Sequence, residues 1–181
     1  MICVSRAIVD NNVAIGVPLL VFLVKKISPY ILYKIFKEKY NLDGIEIVHH
    51  TEYFDRLINE GRLSVNEVGQ RYVYHDPCEL GRGCGIYDQP RNVVKTIGEL
   101  VEARKSGKES ICCGGSLGSL TLSFERRKAL TENALNNLTI ASPDTIVTAC
   151  PLCRSTFNRY ADRPVRDIAE LLDEATMKRK G

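Results

Sequence analysis

Five cysteines fall into one pattern: Cys78, the adjacent pair Cys112-Cys113 followed by Gly114-Gly115, and Cys150-Pro151-Leu152-Cys153. Residues 79–111 separate the first from the pair, and residues 114–149 separate the pair from the closing CxxC. Packing alone explains poorly why three loops would bring five thiols together. A metal ion or an iron–sulfur cluster explains it well, since thiolate is a soft ligand suited to both. In an extended chain neighbouring side chains point to opposite sides, so Cys112 and Cys113 can serve one centre only at a turn. Gly114 and Gly115 permit that turn and let backbone N–H groups approach sulfur. Zinc takes four ligands in a tetrahedron, so five thiolates suit a multi-iron cluster better, with zinc on four of the five as the alternative.

The elements that must position these residues alternate between short β-rich runs and helical periodicity, which indicates an α/β architecture. Val13–Val24 reads as a buried strand. Ser28-Pro29 then opens a helix with Ile31, Leu32, Ile35, Phe36 and Tyr40 on one face. Residues 45–48 form a strand, and Thr51 caps a helix to about Glu60 with Phe54, Leu57 and Ile58 inward and Gly61 as its stop. Arg71–His75 is a strand leading into Asp76-Pro77-Cys78, and Pro90 opens a helix carrying Val93, Val94, Ile97, Leu100 and Val101. The paired cysteines precede a long helix over about 120–138, and the strand Thr145–Thr148 ends at Cys150. Two helices close the chain, one beginning at the CxxC and one at about Pro164. The cysteines thus sit at strand ends and helix starts, where open α/β sheets gather ligands and free N–H groups favour anionic sulfur.

Bulk properties narrow the function classes. The 181 residues suffice for one good core or for one domain with a fragment of another. A hydrophobic content of 44% and a charged content of 26% are those of a globular domain. The net charge of +3, with Lys and Arg scattered, gives no case for nucleic acid. Val13–Val24 is interrupted by Gly16 and Pro18 and is too short for a transmembrane segment. An odd total of seven cysteines and no secretory leader favour reduced thiols in a cytoplasmic setting. Lys178-Arg179-Lys180 reads as a frayed basic tail over 176–181.

Four segments carry a family resemblance: His75-Asp76-Pro77-Cys78-Glu79-Leu80-Gly81-Arg82, Gly85-Ile86-Tyr87-Asp88-Gln89-Pro90-Arg91, Cys112-Cys113-Gly114-Gly115, and Thr148-Ala149-Cys150-Pro151-Leu152-Cys153. In order, spacing and flanking residues they resemble the CCG cysteine-rich domain over about 45–175. That domain occurs in the B and D subunits of heterodisulfide reductase, in thiol-driven fumarate reductase, and in iron–sulfur subunits that serve glycolate, lactate or glycerol-3-phosphate. The resemblance implies a small, mostly parallel sheet flanked by helices. It also implies that Cys78, Cys112, Cys113, Cys150 and Cys153 ligate a non-cubane [4Fe–4S] cluster. The function it implies is an iron–sulfur redox subunit of the heterodisulfide reductase type, anaerobic, with a flavoprotein or ferredoxin-like partner and a thiol/disulfide substrate. Rival readings are an iron–sulfur subunit of a 2-hydroxy acid, glycerol-3-phosphate or fumarate oxidoreductase, a zinc-stabilised interaction module, and a truncated gene product.

Family subunits usually carry two such repeats, often after a ferredoxin-like segment. Here Ser28 can be laid over Cys150, Pro29 over Pro151 and Ile31 over Cys153. Residues 1–44 are therefore expected to be the tail of a first repeat that has lost its ligands. One site favours electron relay within a larger complex over disulfide cleavage. Cys84 and Cys3 read as incidental, His75 as organising the Asp-Pro turn, and His49 and His50 as structural. Arg82 and Arg91 are candidates to steady an anionic centre or substrate, or else surface charge.

Overall fold

The computed structural model describes residues 19–21, 46–115 and 121–177. Its centre is a four-stranded, all-parallel sheet in the order β4-β3-β5-β6, formed by β3 (Arg71–His75), β4 (Glu99–Val101), β5 (Thr145–Thr148) and β6 (Val165–Asp167). Two further strands, β1 (Leu19–Val21) and β2 (Glu46–Val48), pair in parallel as a separate sheet. Parallel strands require crossovers, and helices supply them. They are α1 (His50–Asn59), α2 (Asp88–Ile97), α3 (Phe124–Thr139), α4 (Pro151–Phe157) and α5 (Ile168–Met177). The architecture is α/β with a small parallel sheet flanked by helices, as expected.

Both faces of the sheet are covered, so β3 and β5 are buried along almost their whole lengths. Alternation along each strand sends Tyr72, Tyr74 and Val147 to one face, against Phe54, Leu57, Val93, Val94, Ile97 and Leu172 of α1, α2 and α5. Val73, Ile146 and Val165 go to the other face, against Ala134, Leu135 and Leu138 of α3 and Phe157 of α4. Each such large apolar side chain contributes about 1.5–3 kcal/mol by leaving water.

Three expectations about element boundaries change. Leu100 and Val101 do not extend α2. The chain turns at Gly98 and forms the edge strand β4, with Glu99 N–H donating to the Gln70 carbonyl. A Cβ at Gly98 would lie 2.6 Å from the Gln70 oxygen and 2.7 Å from the Tyr72 ring, so glycine is needed for the close crossing. After Pro164 the chain first builds β6, and α5 begins only at Ile168. The cap of α1 is His49 rather than Thr51. His49 Nδ1 accepts from Thr51 N–H while Glu52 accepts from His49 N–H at 2.8 Å, a reciprocal capping box.

The long helix starts at Phe124, capped by Ser123, and α5 runs through Met177. Of the expected strand Val13–Val24, residues 19–21 are described and are a strand. The helix from Ser28, its match to the CxxC, and Cys3 lie outside the described residues.

His50 is enclosed behind that cap, and burial lowers its pKa to about 4. Its folded pKa is below the unfolded value of 6.5, so protons bind the unfolded chain first as pH falls. Stability contributed by neutral His50 is therefore complete above about pH 6.5 and is lost as pH falls towards 4. The loss is on the order of 3 kcal/mol. Urea titrations of wild type and His50→Gln across this window check it, with a shallower pH dependence expected in the variant.

Candidate metal centre

Each cysteine segment leaves the carboxyl end of the sheet or the loop beside it. Cys78 follows β3 and Asp76-Pro77 and begins a short, wide π-helical turn over Glu79–Gly83. Cys150 follows β5 by two residues and is the extended N-cap of α4, with Pro151 at the first helical position and Cys153 in the first turn. Cys112 and Cys113 lie in the loop between the short 3-10 turn Gly107–Glu109 and α3. Gly114 there has φ +80°, the left-handed conformation that lets the pair turn back on itself. The Thr131 hydroxyl of α3 donates to the Cys113 carbonyl at 2.9 Å and pins this turn to the helix.

The five thiols form one continuous chain of contacts. Cys78 meets Cys112, Cys112 meets Cys113, Cys113 meets Cys153, and Cys153 meets Cys150. Cys113 and Cys153 are buried at its middle, while Cys78, Cys112 and Cys150 are partly exposed. Backbone N–H groups also face the sulfurs: Gly115 donates to Cys113 Sγ at 3.4 Å, and those of Leu152 and Cys153 lie against Cys150.

So many thiols at contact distance cannot all ionise together without a cation. Hydrogen bonds from Cys113 and Cys78 pull the Cys112 pKa far down, and those from Cys153 and the α4 N–H groups pull Cys150 down to about 6. The cost falls on the neighbours: Cys113 rises to about 11 and Cys78 and Cys153 rise too, each serving as donor to a thiolate beside it. Metal cations would remove that conflict and let every sulfur bind as thiolate. The donor set therefore fits a polynuclear, thiolate-ligated centre.

Gly115 marks how tightly the turn is packed. A Cβ there would sit 2.2 Å from Thr156 Oγ1, whose hydroxyl donates to the Leu152 carbonyl at 2.8 Å. Gly115→Ala is expected to cost about 1–3 kcal/mol and to displace the cysteine turn. Adding Thr156→Ala removes the obstacle, so thermal melts of the single and double variants should show recovery in the second.

One residue acts differently from expectation. His75 does not organise the Asp-Pro turn. It is 2% exposed, packs edge-on to Phe157 with ring centroids 4.7 Å apart, and has no hydrogen-bond partner at Nε2. Its ring nitrogen and the sulfurs of Cys113 and Cys153 all lie within 4.8 Å of one another. Burial holds its pKa down at about 4, so the ring is neutral near pH 7. The turn is organised instead by Asp76, also 2% exposed, whose carboxylate accepts from Arg91 at 2.6 and 2.8 Å and from Gly107 N–H at 2.8 Å.

Arg91 also bonds Glu102 at 3.0 Å and the Tyr87 carbonyl at 3.0 Å, and Arg82 donates to the Ser110 carbonyl at 2.8 Å. Both arginines hold loops that carry cysteines; Arg91 does so from a largely buried position, whereas Arg82 is exposed. Cys84 packs against the Tyr74 face of the core, and His49 and His50 stay at the cap of α1. Sequence reasoning missed Asp76 and Thr131 as anchors. Strand alternation offered a signal only for His75, by placing it opposite Tyr74 on the Phe157 side.

A parallel α/β sheet with a cluster of thiols at its carboxyl end defines a cysteine-rich α/β domain. Residues 72–158 match the family described as CCG: Cysteine-rich domain, so the chain carries that domain. It is 36% identical over 161 residues to the EtfAB:quinone oxidoreductase of Syntrophomonas wolfei, covering 79% of this chain and 22% of that protein. It is 29% identical over 157 residues to the probable iron-sulfur-binding oxidoreductase FadF of Bacillus subtilis, covering 80% and 22%. A third relative is a component of the dihydromethanophenazine:CoB–CoM heterodisulfide reductase of Methanosarcina barkeri, 29% identical over 138 residues and covering 72% and 34%. The chain thus spans between a fifth and about a third of the length of these relatives. Among the described residues no helix is long and apolar enough to cross a membrane.

Proposed function

We propose that Cys78, Cys112, Cys113, Cys150 and Cys153 hold a [4Fe–4S] cluster of the non-cubane type and that the chain is the cluster-bearing part of an oxidoreductase. The observation that carries this reading is the unbroken contact chain of five thiols, one more than a zinc tetrahedron uses. When bound, such a cluster supplies one-electron transfer. The protein's part is to fix the thiolates, keep Cys113 and Cys153 dry, and leave Cys78, Cys112 and Cys150 near the surface, where a donor or acceptor can approach. The relatives' names support a redox complex, with a flavoprotein or ferredoxin-like partner on one side and a thiol/disulfide or quinone-like acceptor on the other. The site of action proposed is the cytoplasm.

We also propose that the N-terminal segment is the tail of an earlier repeat. Support comes from two matching units: β1–β2–α1 and β5–β6–α5 each have two paired parallel strands followed by a helix. Each helix begins with the same reciprocal cap, His49 with Glu52 and Asp167 with Glu170. On this comparison the earlier repeat extends past residue 44 to about the end of α1. The cysteine pattern is complete once within these 181 residues, which favours relay over clamping and splitting a heterodisulfide.

Anaerobic purification with iron, zinc and acid-labile sulfide analysis, followed by EPR with and without a thiol, tests both readings. Iron and sulfide with a signal unchanged by thiol is expected. Stoichiometric zinc without visible absorbance overturns the cluster, and rapid heterodisulfide reduction by the reconstituted chain overturns the relay.

A further inference from the structure

His75 is a buried polar group left without a partner in a tightly packed place. Its Nε2 lacks a hydrogen bond, and so does the hydroxyl of Thr148, its register neighbour on β5, which is 0% exposed. Leaving one such group unpaired costs about 1–3 kcal/mol, and folded proteins seldom tolerate it without a use. Other buried polar atoms among the described residues also lack a partner, such as the Tyr74 hydroxyl and His50 Nε2, but those of His75 and Thr148 sit side by side next to the cysteines. His75 and Thr148 lie on the face that also carries Cys113 and Cys153, the two buried thiols. Edge contact with Phe157 fixes the imidazole plane, one ring nitrogen lies within 4.8 Å of both sulfurs, and Nε2 has no partner in the protein. That spacing suits an acceptor between them that the polypeptide does not itself provide.

We propose that His75 donates its Nε2–H to a sulfur of the metal centre held by Cys113 and Cys153, and so raises the reduction potential of that centre. The inference rests on the cluster reading above. Five thiolates already supply the ligands, so the imidazole acts from outside the coordination shell. Hydrogen bonds to sulfur draw electron density from the iron and favour the reduced state, which is how outer groups set cluster potentials. His75 is thus a positioning and tuning residue placed on the last position of β3, three residues before the first ligand.

The test compares wild type, His75→Gln and His75→Leu, each reconstituted anaerobically. Glutamine keeps an N–H near the position of Nε2, and leucine removes it. Equal iron and sulfide in all three, a lower midpoint potential in His75→Leu by EPR-monitored redox titration, and a potential near wild type in His75→Gln are expected. A His75→Leu potential equal to wild type overturns the proposal. Wild-type protein enriched in 15N-histidine provides a check that needs no variant. Pulsed EPR should show weak coupling to one histidine nitrogen and an exchangeable proton that disappears in D2O. Absence of both, or the strong coupling of a directly bound nitrogen, overturns the role. Wild-type protein without iron and sulfide removes the cluster reading itself, and metal analysis separates that result from a failure of His75 alone.

Discussion

Cys113→Ser and Cys153→Ser are expected to lose most of their iron and sulfide after anaerobic reconstitution, whereas Cys84→Ser keeps them. The contrast follows from placement. Cys113 and Cys153 are buried at the middle of the thiol chain, each touching two other thiols. Serine at either position breaks the run and puts a hard hydroxyl where soft ligation is needed. Removing even an outer partner of a metal ligand costs about 10–100-fold in affinity, so loss of an inner ligand should cost at least that. Cys84 packs on the opposite face of the sheet beside the Tyr74 core. Iron and sulfide determination per chain, with the visible absorbance expected of iron–sulfur centres, measures the difference. Cys113→Ser protein with wild-type iron would remove this residue from the site.

Arg91→Met should be the most destabilising change away from the cysteines, by about 3–5 kcal/mol, because it strands a buried carboxylate. Asp76 receives two hydrogen bonds from Arg91, and the pair's side chains are 2% and 12% exposed. Despite burial, the bonds to Asp76 and Glu102 raise the arginine pKa above its ordinary value, so the guanidinium stays charged. Its cation also lies 5.4 Å from the centre of the Tyr74 ring. The effect should reach the thiol cluster, since Asp76 ties the loop before Cys78 to Gly107 in the segment leading to Cys112. Urea denaturation gives the stability loss. A loss under about 1 kcal/mol would show that the pair behaves like an exposed ion pair.

The fold was legible where a run of residues had one dominant environment. β3 and β5 have the bounds expected from Arg71–His75 and Thr145–Thr148, because both are central strands with apolar or aromatic residues on two buried faces. β4 and β6 were not legible. Each has three residues at an edge of the sheet, and Val165-Arg166-Asp167 gains strand geometry only from pairing with β5. Leu100 and Val101 continue the apolar pattern of α2 along the chain, yet close contact between Gly98 and the Gln70 carbonyl ends the helix. Likewise a histidine could displace Thr51 as the cap of α1 because its Nδ1 reaches the same N–H a hydroxyl would.

The sequence by itself determined the chemistry on offer: five soft ligands, a glycine turn that lets two neighbours face one centre, and a CxxC at a helix start. These properties depend on residue type and short spacing, which the chain carries unfolded. Only the tertiary structure decided which other groups surround the sulfurs. Pairing of β3 with β5 sets His75 beside Thr148, α4 brings Phe157 against the imidazole, and Arg91 reaches across to Asp76. Those contacts join residues far apart in the chain, and strand order, pleat and burial settle them together. A histidine before Asp-Pro could serve a turn or a metal centre, and the face of the sheet on which it lies decides between them.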